Sequence, residues 1–458
     1  MKVLIVNSPL FREINKLYDE DSLPPLGLGM IATQLKENSI DVQLIDAIHE
    51  RIPLKKLIVD IERLRPDFIA SNIFTTNKEL VREMVETITF KTHFIIGGLS
   101  TKQLYKEIVN WNTTNNIDIV TGDGELITID IVKNRLKESP QFQHNNKRWF
   151  MVDSKSVYEV KDISSIRLDR SFFKNEPVLH PLGFKEANIV TSRGCVYNCT
   201  FCAAARSLNK NYAVRELSAN AIINELHEIR TNYPEVNSIR VLDDLFLKRV
   251  DCVKKAIRVF SNFDFQWRSM AHVLTFNKVD TETMERLSES GCHELFIGIE
   301  SGSPTVLKSI NKTKNIEKIV ENLEKVFKAG INIKGYFIYG FPNETQEDME
   351  LTFQLARKLK QISSYYGVNF RTSVFQFRPY HGTQIYHDLE IKGKNLNVRK
   401  TKPDKDLSSL VGRLQFNFHS GNYSSVAKEV LNDYIYRTTN LNDGKIFAKL
   451  ETQSTTIY

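Results

Sequence analysis

The sequence predicts an α/β protein made of two consecutive units and a shorter C-terminal extension. Three patterns indicate this. Apolar β-branched runs alternate with helical patterns over residues 1–140, the alternation resumes over residues 184–386, and residues 141–183 lack a clear period apart from a hairpin pattern. Strands that alternate with helices form parallel sheets covered by helices. We therefore predict domains at 1–140 and 184–386, a linker at 141–183 and an extension at 387–458.

The first unit holds five apolar runs that we interpret as strands: KVLIVN, VQLIDA, FIASNIF, HFIIGG and IDIVTG. Helical patterns such as LGLGMIATQLKEN and NKELVREMVETITF separate them. This order is typical of a Rossmann-like, doubly wound sheet, in which ligands bind at the carboxyl ends of the strands. Glycine and serine occur at several of these ends, although such residues also serve simply as turns.

The second unit holds six apolar runs: ANIVTS, SIRVLD, FQWRSMAHV, ELFIGIE, IKGYFIYGF and TSVFQFR. Helical stretches separate most of them, which predicts a partial (β/α)6 barrel. The last 70 or so residues are polar and less regular, with one helical pattern at SSVAKEVLNDYIYRTTNLN.

Composition narrows the class of protein. The hydrophobic content of 41% supports a sizeable core. The net charge is +7, but the lysines are scattered, so we expect a solvated surface and no nucleic-acid interface. No apolar run has the length of a membrane span, and the first run is expected to be a buried strand rather than a signal peptide. Five cysteines in so long a chain argue against a disulfide framework and favour the cytoplasm.

The stretch IVTSRGCVYNCTFCAAAR concentrates three of the five cysteines, Cys195, Cys199 and Cys202. A structural zinc site uses four ligands. Three thiolates can instead hold a 4Fe–4S cluster and leave its fourth iron open to a small molecule. The stretch begins with an apolar strand, so the cysteines should lie in the loop at that strand's carboxyl end, the catalytic side of a barrel. Cys252 and Cys292 are isolated and are expected to be small buried hydrophobes.

The Cys-x3-Cys-x2-Cys spacing resembles the signature of the radical S-adenosylmethionine (radical SAM) superfamily. The stretches HELFIGIESGSPTVLKSINK, AGINIKGYFIYGFPNETQEDMELT and PPLGLGMIATQLKENSIDVQLIDA are similar to its cobalamin-dependent branch, and the resemblance covers about residues 1–385. It implies a Rossmann-like cobalamin-binding domain followed by a radical SAM barrel. It also implies three cofactors, a 4Fe–4S cluster, S-adenosylmethionine and cobalamin, and an electron donor such as flavodoxin or ferredoxin.

The resemblance further implies which residues bind the cofactors. Cys195, Cys199 and Cys202 would ligate the cluster. The residues that would contact S-adenosylmethionine are Phe201, Asp243, Asp244, Arg268, Glu300, Ser301, Ile338 and Gly340. In this assignment Phe201, Ile338 and Gly340 lie near the adenine, and Glu300 and Ser301 near the ribose. One or both of Asp243 and Asp244 hold the amino group, the alternative for one being a helix cap. Arg268 meets the carboxylate or a ribose hydroxyl, or is a surface arginine.

A second set would face the corrin ring of cobalamin, where small residues let a flat macrocycle approach the backbone. These residues are Pro24, Pro25, Leu26, Gly27, Ser71, Thr75, Gly97, Gly98, Gly122 and Glu125. Many cobalamin proteins carry Asp-x-His-x-x-Gly after the first strand, but residues 8–29 contain no histidine. We therefore predict that cobalamin binds without a histidine from that motif.

The activity that the resemblance implies is radical methylation of an unactivated carbon in a small-molecule or peptide natural-product intermediate. A cobalamin-binding cyclase or rearrangement enzyme that transfers no methyl group stays open as an alternative. A methylthiotransferase would need a second cysteine trio, and residues 1–194 contain no cysteine. A non-catalytic corrinoid-binding or sensor protein would have no use for an open cluster. We expect the C-terminal 70 residues and the barrel loops to choose the substrate, and His381 to be a structural loop residue.

Overall fold

The computed structural model describes residues 1–9, 23–75, 77–98, 100–179, 183–394, 396 and 421–441, and the backbone of 399–400 and 418–419. Two seven-stranded sheets dominate this part of the chain. None of the described helices combines the length and apolar character needed to cross a membrane.

The first sheet confirms the predicted doubly wound unit. Its strands are β1 (Lys2–Asn7), β2 (Asp41–Asp46), β3 (Phe68–Asn72), β4 (His93–Gly97), β5 (Asn116–Gly122), β6 (Phe142–His144) and β7 (Lys147–Val152), in the order β2-β1-β3-β4-β5-β7-β6. Its helices are α1 (Leu26–Glu37), α2 (Leu54–Leu64), α3 (Lys78–Thr87), α4 (Thr101–Ile108) and α5 (Glu125–Val132). Alternate strand residues point to opposite faces, so α2, α3 and α4 pack on one face and α1 and α5 on the other.

The hairpin β6–β7 extends this sheet beyond residue 140. β7 pairs in parallel with β5, and β6 returns antiparallel to β7. Trp149 of β7 stacks on Tyr105 with ring centroids 4.0 Å apart and donates its indole N–H to Thr121. The sequence assigned residues 141–183 to a linker, but this first part of the segment belongs to the N-terminal sheet, because the partly buried Trp149 is anchored there.

The second sheet is the predicted six-stranded partial barrel with one added edge strand. The strands of this part are β8 (Val178–Leu179), β9 (Lys185–Ile189), β10 (Ser192–Arg193), β11 (Arg215–Glu216), β12 (Ser238–Val241), β13 (Gln266–Ala271), β14 (Cys292–Glu300), β15 (Asn332–Tyr339) and β16 (Phe370–Gln376). The sheet order is β16-β15-β14-β13-β12-β9-β8, with only β8 antiparallel to its neighbour. β10 and β11 form a separate two-stranded ladder.

Helices cover the outside of this sheet and enclose the largest core. They are α6 (Ala219–Asn232), α7 (Val250–Phe260), α8 (Thr281–Glu289), α9 (Pro304–Ser309), α10 (Ile316–Lys328), α11 (Gln346–Tyr365) and α12 (Gln384–Ile391). Short 3-10 helices occur at Ile163–Ser165, Arg170–Phe172 and Val273–Lys278.

The C-terminal extension contains the predicted helix, α13 (Lys428–Thr439), and two paired two-residue strands, β17 (Arg399–Lys400) and β18 (Phe418–His419). α13 packs on the last barrel strands: the Tyr339 hydroxyl lies 2.8 Å from that of Thr438, and Thr372 donates to the Thr438 carbonyl. Residues 401–417 and 442–458, on which much of the expected substrate-selecting segment falls, lie outside the described residues.

Candidate functional site

The three clustered cysteines lie where the sequence placed them, in a loop after the first barrel strand. β9 ends at Ile189, and the β10–β11 ladder then fixes the start of the loop. The Cys202 amide donates to the Cys199 carbonyl at 3.2 Å, so the last two cysteines share one tight turn. All three thiols are free and partly exposed, whereas Cys252 and Cys292 are free and buried, as predicted.

The environment of the three thiols suits a soft metal cluster. Burial raises the pKa of each thiol, that of Cys202 to about 12, so iron would have to displace protons on binding. Within the described ranges, no three His, Cys, Asp or Glu side chains converge closely enough to hold one metal ion. A 4Fe–4S cubane takes each thiolate on a different iron, so its three ligands need not meet at one metal ion.

Asp243 and Asp244, a pair to which the sequence assigned one role, have different surroundings. Both carboxylate oxygens of Asp243 are occupied by backbone and hydroxyl donors of Thr191 and Ser192, at 2.6 to 2.9 Å. Asp243 therefore holds the strand that leads into the cysteine loop. No hydrogen bond from a described residue reaches the Asp244 carboxylate, which opens onto the same cavity as Cys202. Desolvation and the adjacent Asp243 charge raise the pKa of Asp244.

Glu300, at the end of β14, is held by a lysine that the sequence analysis did not single out. Lys312 Nζ donates to Glu300 Oε1 and to the Gly298 carbonyl, both at 2.8 Å. Glu300 has a φ of 66°, in the left-handed region that non-glycine residues avoid. A Cβ on Gly298 would lie 2.4 Å from Glu300 Oε1, so the glycine makes room for the folded-back carboxylate.

Lys312 also brings positive charge to the cluster loop. Burial alone would lower the pKa of Lys312, but the charges of Glu300 and Cys199 outweigh it and raise that pKa. The ammonium group is therefore charged beside the thiols.

His272, directly after β13, stacks on Tyr197 of the loop with ring centroids 3.9 Å apart, and burial lowers the pKa of His272 to about 3. A lone lysine or histidine carries no signal in one sequence, so neither residue could be selected there.

Two residues that the resemblance assigned to S-adenosylmethionine are committed elsewhere. Arg268 is 2% exposed and forms two hydrogen bonds with Glu186, at 2.6 and 2.7 Å, inside the barrel. Its burial excludes a surface arginine. Its position, three residues before the end of β13, places it away from the barrel mouth. The Ser301 hydroxyl lies 2.9 Å from the Thr352 hydroxyl of α11, in packed surroundings.

The three residues assigned to the adenine converge at the end of β15. Phe201 of the cysteine loop meets Phe341 edge to face, with centroids 5.6 Å apart, directly after Gly340. Gly340 has a φ of 91°, and its amide donates to Glu344. Ile338, two residues earlier, is partly buried against the core. Burial raises the pKa of Glu344 to about 8. This carboxyl group, in the turn at the barrel mouth, is therefore mostly uncharged at neutral pH.

The N-terminal domain has a cavity of about 480 Å³ between the sheet, α1 and α5, which we call the N-terminal cavity. Most of the residues assigned to the corrin ring line it: Pro25, Leu26, Gly27, Ser71, Gly97, Gly98, Gly122 and Glu125. Pro24 is buried just before α1, and its carbonyl accepts a hydrogen bond from the Leu26 amide. The lining is mostly apolar or small.

A second cavity, of about 470 Å³, lies between the two domains and adjoins the first at Phe74. We call it the interdomain cavity. Thr75 and Ser100 line it from the N-terminal domain, and Cys202 and Asp244 from the barrel. Thr75, the remaining residue assigned to the corrin ring, contacts His381 with Oγ1 and Nδ1 3.1 Å apart. His381 thus joins the domains at this cavity.

Both domains match known family models. The radical SAM superfamily model covers residues 189–356, and the B12 binding domain model covers residues 18–132. An uncharacterised methyltransferase of Pyrococcus horikoshii is 28% identical over 84% of this chain and 82% of that protein.

Solved structures share the fold. The cobalamin-dependent S-adenosylmethionine radical enzyme OxsB, with aqua-cobalamin bound, has a TM-score of 0.62 and 17% identity, over 94% of this chain and 66% of that one. The radical S-adenosylmethionine methyltransferase TsrM of Kitasatospora setae has a TM-score of 0.58 and 15% identity, over 85% and 75%.

The fold and the site together define a radical SAM barrel joined to a B12 binding domain. The chain belongs to the family of cobalamin-dependent radical SAM enzymes. These domains imply three cofactors: a 4Fe–4S cluster, S-adenosylmethionine and cobalamin.

The residues present fit these groups. Three soft thiols suit the cluster, and the unpaired Asp244 carboxylate suits an ammonium group. In the N-terminal cavity, a Cβ on Gly27 would meet nothing within 4 Å, so this glycine leaves open space for a ligand. The buried oxygens Asn72 Oδ1 and Glu125 Oε2 have no hydrogen-bond partner within the described ranges, and they suit the amide donors around a corrin ring.

Proposed function

We propose that the chain methylates an unactivated carbon of a small-molecule or peptide natural-product intermediate, using cobalamin and radical SAM chemistry. One observation carries the proposal: a single interdomain cavity is lined both by the cysteine loop and by the loops at the carboxyl edge of the first sheet. A substrate in this cavity would be within reach of both cofactors.

The two cofactors divide the chemistry. When bound, the cluster with S-adenosylmethionine supplies the means to make a carbon radical, and cobalamin supplies a methyl group that such a radical can accept. An unactivated carbon is not a nucleophile, so polar methyl transfer does not reach it. A low-potential electron donor is needed as a partner, in keeping with the family.

The protein's own residues would bind and orient the cofactors and exclude water from the site. Cys195, Cys199 and Cys202 would hold the cluster, and Asp244 would accept hydrogen bonds from the methionine ammonium. Aromatic side chains line the interdomain cavity, among them Phe74, Phe201 and Tyr380. Such walls keep water away from a reactive species.

The names of similar proteins support methyl transfer, since the compared Pyrococcus protein and TsrM are both called methyltransferases. They do not select the substrate, because related folds carry different activities. The natural-product class is therefore proposed by analogy with the family, and the barrel loops around Tyr380 and His381 are the residues we expect to select within it.

The test is anaerobic reconstitution with iron, sulfide and hydroxocobalamin, followed by incubation with S-adenosylmethionine and dithionite. We expect about four irons and one cobalt per chain. We also expect release of both 5′-deoxyadenosine and S-adenosylhomocysteine. Formation of 5′-deoxyadenosine alone would contradict methyl transfer and favour a rearrangement.

The Co(II) electron paramagnetic resonance spectrum of the same sample adds a check on the missing histidine. We expect no nitrogen coupling from a protein histidine of the Asp-x-His-x-x-Gly type. A matched Cys252→Ala variant should behave as the unmodified protein, since that buried thiol lies on α7, outside the cysteine loop.

A further inference from the structure

One arginine connects the cysteine loop to the wall of the N-terminal cavity. Arg193 lies two residues before Cys195, in the β10–β11 ladder. Its guanidinium reaches across the domain boundary to two carboxylates that follow β5. Nη1 donates to Asp123 Oδ1 at 2.9 Å, and Nη2 donates to Glu125 Oε1 at 2.5 Å. All three side chains line the N-terminal cavity.

The contact is buried and its charges are matched. The Asp123 and Glu125 side chains are 7% and 5% exposed, and that of Arg193 is 20% exposed. Arg215 also donates to Asp123, so two arginines face two carboxylates. Removing one partner of a buried pair leaves an uncompensated charge, which is strongly unfavourable. The cysteine loop is therefore firmly attached to the cavity wall.

Glu125 presents a second oxygen that nothing in the described part of the chain satisfies. Oε1 is held by Arg193, whereas Oε2 is buried without a hydrogen-bond partner. A buried acceptor without a partner costs free energy that a donor would recover. The residue lines the cavity, and the periphery of a corrin ring carries primary amides, which are donors of the required kind.

We propose that Arg193 is a positioning residue that couples the filling of the N-terminal cavity by cobalamin to the geometry of the cysteine loop. An amide of the corrinoid fixes Glu125 through Oε2, Glu125 and Asp123 fix Arg193, and Arg193 fixes the backbone that leads into Cys195. This inference rests on the proposed function, since it requires both cofactors. Coupling between two binding sites is reciprocal, so each cofactor must strengthen binding of the other by the same factor.

The experiment measures that factor as a Kd on the cobalamin side and checks its direction on the cluster side, under anaerobic conditions. The first measurement is the Kd for hydroxocobalamin in cluster-loaded and in cluster-free full-length protein. The second is the loss of cluster iron to a ferrous chelator, with and without hydroxocobalamin. We expect the cluster to lower the Kd at least about fivefold, the lower end of typical coupling. Iron loss should slow when cobalamin is bound.

The Arg193→Met variant should still bind about four irons, because its cysteines are intact, but its coupling factor should fall to about one. Arg193→Lys keeps the charge but lacks the planar fork that reaches both carboxylates. Its coupling factor should therefore lie between those of the unmodified protein and Arg193→Met. The matched control is Lys174→Met. It removes the 2.6 Å ion pair between Lys174 and Glu50, which also joins a residue outside the first domain to that domain, but at an exposed position. It should leave the coupling factor unchanged.

A second variant keeps the inference testable if Arg193→Met does not fold. Glu125→Gln preserves the size of the side chain but weakens its contact with Arg193, so it too should lower the coupling factor. Equal Kd values in cluster-loaded and cluster-free protein would overturn the coupling and leave the proposed function standing. Protein that takes up iron but no cobalt would overturn both.

Discussion

The N-terminal cavity and the mouth of the barrel are formed by different kinds of residue. The N-terminal cavity is walled by backbone, small residues and aliphatic side chains, such as Gly27, Gly97 and Ile95. The barrel mouth is instead formed by thiols and charged groups. There Asp243 accepts a hydrogen bond from Thr191, and Glu300 accepts one from Lys312. The N-terminal cavity can select a ligand largely by its shape, and the barrel mouth by its charge and its ligating atoms.

This difference predicts which substitutions each region will not tolerate. The wall of small and aliphatic residues in the N-terminal cavity is sensitive to added volume, and its charged groups are confined to the cluster of Arg193, Asp123 and Glu125. A site built from charged groups is sensitive to the loss of one atom, even when the volume is conserved. The following experiments test this contrast, beginning with the largest expected effect.

Replacing a cluster ligand should abolish activity. In Cys195→Ala, Cys199→Ala or Cys202→Ala, the cluster loses one of its three attachments, so we expect no detectable 5′-deoxyadenosine. The measurement is chromatography of the products of S-adenosylmethionine after reduction, with Cys252→Ala as the control that retains activity. Turnover in any of the three variants would refute the cluster assignment.

The adjacent aspartates should separate support of the loop from binding of S-adenosylmethionine. Asp243→Asn places an amide against the donors of Thr191 and Ser192, so we expect reduced iron content as the loop loses its anchor. Asp244→Asn should keep its iron and raise the Kd for S-adenosylmethionine about tenfold to a hundredfold, the worth of a hydrogen bond between charged groups. Iron analysis and equilibrium dialysis distinguish the two, and identical behaviour of both variants would argue against this division.

Added volume in the N-terminal cavity should block cobalamin without harming the fold. A Cβ at Gly27 would meet no atom within 4 Å, and leucine favours a helix by about 0.5 to 1 kcal/mol over glycine. Gly27→Leu should therefore keep or raise the Tm while raising the Kd for hydroxocobalamin at least about tenfold. Gly27→Ala is the graded control with a smaller effect. Unchanged cobalamin binding in Gly27→Leu would mean that the ligand lies elsewhere.

Removing the charge of Lys312 should alter the reduction potential of the cluster. A positive charge near the thiolates stabilises the reduced, more negative cluster, so Lys312→Met should lower its reduction potential. A redox titration followed by electron paramagnetic resonance measures this, and Lys308→Met, on the exposed side of α9, is the control. A potential that stays unchanged in Lys312→Met would place the ammonium too far from the cluster to matter.

Glu344 gives the smallest expected effect, a change in the pH dependence of stability. Its folded-state pKa of about 8 lies above the ordinary value of 4.5, because the carboxyl group is buried. The protonated form is thus favoured by folding, and this contribution is present below pH 4.5 and is lost as the pH rises to about 8. Glu344→Gln should flatten the fall in Tm between pH 6 and 8, whereas Glu347→Gln, at an exposed position, should not.

The fold could be predicted almost entirely, because it follows from alternation. Buried parallel strands appear in the sequence as continuous β-branched runs, and those runs predicted the parallel strands of both large sheets except β7. The hairpin β6–β7 was misplaced in a linker, since FQH and KRWFMV have no clear apolar period. What holds them is the contact of Trp149 with Tyr105 and Thr121, which depends on tertiary structure.

The candidate site could be predicted where the chemistry lies in the residue type itself. Three clustered cysteines have few other uses, but an arginine, a serine or a lysine has many. Arg268 was therefore assigned to a ligand although a buried glutamate holds it, and Lys312 and Arg193 were passed over. Their roles arise from partners that lie 12 and about 70 residues away, a relation that a local motif does not contain.

The contact between Thr75 and His381 spans 306 positions of the chain. During synthesis, every strand of the N-terminal sheet is made long before His381, whereas the wall of the interdomain cavity lacks Tyr380 and His381 until then. The interdomain cavity is thus completed only after the whole of the six-stranded barrel sheet has been made. A fragment that stops before the last barrel loop would lack Tyr380 and His381, and its interdomain cavity would be incomplete.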